Sequence, residues 1–286
     1  MRGTRNVRNP KAHARLTWHA CSRQIRSRAV LFCTDDPMGR GSMQGNLCAV
    51  QATGRGGLRP TARLPRAWWF PELKGYRSAE ISTYVRYPLD EQPKVSIAVD
   101  DDLSWLKDVP EQDDGIEHGE PGQQTRSLTT EQLTALAQDL PLPQALWTFA
   151  ARPELQRRVP SATACYVDLG DFLVPTSVRG GYLLHVLSDQ QWIRHWLLYI
   201  DRVGNEAMLV SGDPIGFLDE DREVPVPSII PMDGTYDVEV CADSFAEFLY
   251  RFWIENELWW ALRRGEALAP RLAAYASQLP PVDRSA

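Results

Sequence analysis

The chain has no run of eighteen or more apolar residues, so no segment is long enough to cross a bilayer as a helix. Its five cysteines (Cys21, Cys33, Cys48, Cys165 and Cys241) are scattered and odd in number and include no Cys-x-x-Cys pair. That argues against a disulfide framework and against a zinc ribbon, and makes a reducing cytoplasm the default compartment. The start is basic but lacks the apolar stretch and small-residue cleavage site of a secretory signal. No Gly-x-Ser-x-Gly elbow marks a hydrolase nucleophile, and Ser211-Gly212-Asp213 has no evident base nearby in sequence. The glycines from Gly39 to Gly45 miss the dinucleotide-binding spacing by one residue, and the acidic runs lack the Gly and closing Glu offsets of an EF-hand. No cofactor is expected.

What is present is enough apolar material for a core, 43% of 286 residues, and a charge that is split along the chain. Residues 1–66 hold thirteen Arg and Lys against Asp35 and Asp36, which is +11; since the whole chain is −6, residues 67–286 carry −17. The first segment is rich in Arg and Gly and poor in apolar clusters, so the expectation is a disordered extension or a gene start placed too far upstream. Its alternative use is a basic arm touching nucleic acid, the one route by which nucleic acid enters as a partner. Residues 67–125 are expected to hold a strand hairpin (Ile81–Tyr87 with Lys94–Val99) and an acidic linker with a boundary near residues 108–125.

Residues 126–265 carry the strongest patterns. Thr129 and Gln132 are spaced as a capping box ahead of Leu133, Leu136, Ala137 and Leu140, and Pro143 can open a second short helix. Tyr182–Leu187, Arg194–Ile200 and Ala207–Ser211 are apolar, β-branched and aromatic runs separated by Ser188–Gln191 and by a linker containing Gly204-Asn205, which predicts a three-stranded antiparallel meander. Ser244 and Glu247 form a second capping box, and aromatic residues at helical spacing run from Phe245 to Trp259 before Gly265. The fold class is therefore α+β: a mainly antiparallel sheet with a meander core, packed by helices that include a long aromatic one toward the C-terminus. Residues 266–286 read as a tail with a weak helix interrupted near Pro270.

The apolar strand ending in Asp189-Gln190-Gln191, the following strand with Trp196 and Tyr199, the run into Val210-Ser211-Gly212-Asp213, and Asp243-Ser244-Phe245 continuing through Trp253, Glu255, Asn256, Glu257 and Trp259 together resemble the SUKH superfamily, Smi/Knr type. The resemblance spans roughly residues 126–265 and marks a fold more sharply than an activity. It implies fungal cell-wall regulators and bacterial toxin-immunity proteins as relatives. The function so implied is a non-enzymatic module that binds another protein, a bacterial toxin domain such as a nuclease.

Acidic loops would steer toward a basic cleft, so the expected contact residues are Asp219, Glu220, Asp221 and Glu223, with Asp189 and Trp192 as a second patch. Trp192 borders a turn and is expected to be exposed, whereas Trp196 and Trp253 are expected in the core. Two other function classes stay open. One is a regulatory scaffold without a toxin partner, tethered by the basic arm. The other is a metal-dependent enzyme using Asp168, His185 and His195, whose spacing matches no compact ligand motif.

Overall fold

The structure is a computed structural model describing residues 64–73, 83–95, 101–112, 115–116, 129–138, 140–170, 173–178, 180–215 and 237–280. Strands β1 (Ala67–Phe70) and β2 (Val85–Pro88) pair antiparallel as a small sheet. Short helices follow: α1 (Ser104–Lys107), α2 (Thr130–Ala137), α3 (Gln144–Ala150) and α4 (Pro153–Gln156). The main sheet is built from β3 (Tyr166–Val167), β4 (Val174–Pro175), β5 (Tyr182–Ser188), β6 (His195–Ile200), β7 (Glu206–Ser211) and β8 (Val238–Ala242). Its order is β3-β5-β6-β7-β8, with β4 also on β5, and every pairing is antiparallel. Helices α5 (Phe245–Arg264) and α6 (Pro270–Ala276) complete the α+β fold.

The meander β5-β6-β7 forms because alternating large side chains fit a pleated surface and two tight turns set the register. In the second turn Asp201 Oδ1 accepts from the backbone N–H of Val203 and Asn205, and Gly204 adopts φ 86°, where glycine has no Cβ to clash. β6 is buried along its whole length, so both faces of the central sheet are covered. One face meets α5: Trp196 is edge-on to Phe252 at 5.9 Å and tilted against Phe248 at 6.3 Å. Trp253 is buried as well.

The capping box at Thr129 is complete, whereas at Ser244 only the side-chain half forms and Glu247 Oε2 accepts from Asp243 N–H in place of Ser244 N–H. Thr129 accepts from Gln132 N–H while the Gln132 side chain accepts from Thr129 N–H, and Ser244 accepts from Glu247 N–H at 3.1 Å. Gly265 closes α5 in the left-handed conformation. Pro270 is the first residue of α6, where its missing N–H costs nothing.

Within the described residues β2 pairs with β1, and Leu89–Glu91 turns as a 3-10 segment after it; Ile81, Ser82 and residues 96–99 of the expected hairpin lie outside the described residues. The small sheet shares the core of the main one. Trp68 packs against Phe248, Val240 N–H donates to Pro65 O at 2.8 Å, and Arg66 bridges to Val240 in parallel. The expected boundary after residue 66 therefore falls inside a packed stretch that includes Leu64, Pro65 and Arg66; residues 1–63 lie outside the described residues. Part of the acidic stretch is also held in place, since Ile116 N–H donates to Val159 O and Ile116 O accepts from Val167 N–H.

Candidate functional site

Face assignment along β5 explains the site. Ser188 pairs with His195 and Leu187 with Trp196, so Ser188 and His195 share the face opposite α5. Three residues upstream, His185 would by strict alternation point to the other face. A β-bulge between His185 and Leu187 shifts the register and returns it to the face of Ser188. Across the sheet Tyr166 pairs with Ser188, and Asp168 follows on the same side of β3.

The result is a buried polar knot centred on Ser188. Its hydroxyl donates to Asp168 Oδ2 at 2.9 Å and lies 2.9 Å from His185 Nε2 and 3.0 Å from His195 Nδ1. The far ring nitrogens face backbone carbonyls, His185 Nδ1 at 3.0 Å from Ile215 O and His195 Nε2 at 3.2 Å from Trp192 O. Each neutral imidazole has one N–H, so two rings and one hydroxyl bring three protons to five donor–acceptor pairs. Protonating the rings would fill the remainder, but burial opposes the charge and holds His185 down to about 3 and His195 down to about 4.

Above the knot sits the turn between β5 and β6. Asp189 Oδ1 accepts from Ile193 N–H at 2.8 Å and Arg194 N–H at 3.0 Å. Trp192 is held at φ 59°, an uncommon conformation for a bulky residue. Its indole N–H donates to Tyr166 OH at 2.6 Å, its ring stands edge-on to His195 at 5.5 Å, and its carbonyl faces the same histidine. The Arg194 guanidinium lies 3.8 Å over the Trp69 ring and ties the other side of the turn to β1. Despite these ties Trp192 is 46% and Ile193 43% exposed; with Val203 they are the exposed large hydrophobic residues among those described.

Asp189 and Trp192 are thus adjacent, but in different roles: Trp192 is on the surface, while Asp189 is buried, its Oδ2 has no hydrogen-bond partner, and burial raises its pKa. The expectation of Asp189 as a contact residue is corrected on this point, because its carboxyl shapes the turn from within. Asp219, Glu220, Asp221 and Glu223 lie outside the described residues. Asp168, His185 and His195 do converge, although among the described residues no set of three His, Cys, Asp or Glu side chains is grouped to hold a metal ion. Sequence reasoning missed Ser188, which it placed in the linker and which is the last residue of β5, and Tyr166, the acceptor for Trp192. Missed too was Ile193, although its place beside Trp192 in a turn was a usable signal.

No family model, no curated protein and no solved structure matches this chain. No helix among the described residues is long and apolar enough to cross a membrane.

Proposed function

We propose that the chain is a non-enzymatic protein-binding module of SUKH type that acts in the cytoplasm as an immunity protein, occluding a toxin domain. The observation that carries the reading is the Trp192–Ile193 turn, an aromatic and an aliphatic side chain exposed side by side yet braced from below by Asp189, His195 and Tyr166. Exposed apolar anchors cost little to bind when they are already held in place, and Trp is the residue type most enriched among interface hot spots. The balance of −17 over residues 67–286 favours a basic partner such as a nuclease, whose nucleic-acid cleft an acidic protein would approach quickly and block.

The test is survival of cells expressing the toxin-like domain encoded nearest this gene, with and without the full chain. Rescue should fall at least about tenfold for Trp192→Ala, the loss of one hot-spot side chain, in a variant that circular dichroism shows to be folded at the assay temperature. It should weaken further when Asp219, Glu220, Asp221 and Glu223 are replaced by Ala. Absence of rescue and of any complex would remove the immunity reading. The convergence of Asp168, His185 and His195 favours the enzyme as the second reading, and a divalent-metal titration decides it: binding lost in His195→Ala supports the enzyme, a flat titration ends it.

A further inference from the structure

A second feature, remote in sequence from the Trp192 turn and independent of it, is an aromatic enclosure around a cation. Trp105 of α1 and Tyr250 and Trp253 of α5 stand 5.0, 5.3 and 5.7 Å apart pairwise by ring centroid, with interplanar angles of 77°, 53° and 50°. Rings at such angles form a corner instead of a stack, and their electron-rich faces open onto one volume. The Arg271 guanidinium of α6 fills it, 4.4 Å from the Trp253 centroid, 5.0 Å from Tyr250 and 6.0 Å from Trp105, with Nε donating to Tyr250 OH at 3.0 Å. Arg271 forms no ion pair among the described residues, so aromatic faces hold this charge where a carboxylate usually would.

Two further details point to a ligand beyond Arg271. Trp105 leaves its buried indole Nε1 without a hydrogen-bond partner, a donor that an incoming acceptor would satisfy. Tyr250 and Trp253 are buried walls, while Trp105 and Arg271 are only partly buried, so solvent reaches the enclosure at these two residues. α6 itself is pinned through buried Leu272, Tyr275 and Leu279 and by Tyr275 OH donating to Glu255 Oε1 at 2.6 Å. The arginine side chain can therefore swing out while its helix stays docked.

We propose that Trp105, Tyr250 and Trp253 form a binding site for an organic cation with delocalised or methyl-shielded charge, and that Arg271 is its resident, exchangeable occupant. An arginine side chain on another polypeptide and a methylated ammonium group share this chemistry. The exchange trades one cation for another, so the site is weak while Arg271 competes and opens when it is removed.

The experiment follows tryptophan fluorescence of the full-length Arg271→Ala chain during titration with Nα-acetyl-arginine methylamide and, separately, tetramethylammonium chloride, with sodium chloride as the ionic-strength control. A saturable response is expected for Arg271→Ala at a concentration about tenfold below that needed for the unaltered chain, and it should vanish when Trp105→Leu is added. Tighter binding of the capped arginine identifies a peptide ligand, and tighter binding of tetramethylammonium a methylated one. No saturable response from folded Arg271→Ala, or a response unchanged by Trp105→Leu, overturns the proposal. If Arg271→Ala fails to fold, Arg271→Met keeps the apolar stem and is read by the same outcomes.

Discussion

Two histidines and one glutamate pull the stability of this chain in opposite directions as pH falls. Burial depresses the folded-state pKa of His185 to about 3 and of His195 to about 4, so below pH 6.5 the unfolded chain takes up protons that the native state refuses, and stability is lost toward those values. Glu206 behaves in reverse. Burial raises it to about 7, partly offset by a hydrogen bond from Phe245 N–H, and its Oε2 has no partner, so protonation from pH 7 down to 4.5 stabilises the native state. Each group contributes at most about 1.4 kcal/mol per pH unit, so between pH 6.5 and 4.5 two losses outweigh one gain by at most about 1.4 kcal/mol for each pH unit. Glu206→Gln removes the gain. The variant should be about 1–2 kcal/mol more stable than the unaltered chain at pH 8, discounted because Glu206 is partly exposed, and should lose stability more steeply on acidification. Urea midpoints at pH 8, 6 and 5 check both slope and sign; equal slopes would show that Glu206 is solvated as an ordinary surface acid.

At the scale of elements, α5 departs from the amphipathic stripe that its spacing suggested. Thirteen of its residues are buried, among them Arg251, Glu255 and Asn256, because the sheet covers one side and β1, α1, α3 and α6 share the others. The polar residues serve as fasteners between elements. Glu255 accepts from Trp68 Nε1 of β1 at 2.7 Å and from Tyr275 OH of α6 at 2.6 Å, and Asn256 Oδ1 accepts from Ala162 N–H at 2.6 Å. An amide at position 255 offers one acceptor oxygen and turns an NH2 toward the other donor, leaving a buried donor unmatched. Glu255→Gln should therefore cost about 2 kcal/mol, and much less in a Tyr275→Phe background, where the second donor is gone. A double-mutant cycle by chemical denaturation measures the difference, and strict additivity would mean that Glu255 does not couple α6 to α5.

For the molecule as a whole, local rules were legible and long-range ones were not. The Thr129 and Ser244 caps, the Gly265 stop, the meander and the exposure of Trp192 follow from short-range chemistry readable in a window of residues. The Ser188 knot was hidden because a one-residue bulge moves His185 across the sheet, and nothing in Tyr182–Ser188 marks where an extra residue will sit. The role of Leu64, Pro65 and Arg66 was hidden for a different reason: they follow a basic, glycine-rich stretch, and their partners Val240 and Asp243 are far away in sequence. These three residues supply two backbone hydrogen bonds, from Val240 N–H to Pro65 O at 2.8 Å and from Leu89 N–H to Arg66 O at 3.3 Å, together with the burial of Leu64 and ion pairs from Arg66 to Asp243 at 3.0 Å and Asp90 at 3.5 Å. The two bonds contribute about 1 kcal/mol each, the leucine about 2 and partly exposed ion pairs less than 1, offset in part by ordering three residues. A chain beginning at Leu64 should then be about 2 kcal/mol more stable than one beginning at Ala67, and Arg66→Ala in the longer chain should recover only the smallest part of that difference. Equal urea midpoints for the two truncations would mean that β1 is held by the contacts of Ala67–Phe70 alone, through β2, Trp68 and Trp69; a gap carried wholly by Arg66 would place the anchor in the ion pairs instead of the apolar contact.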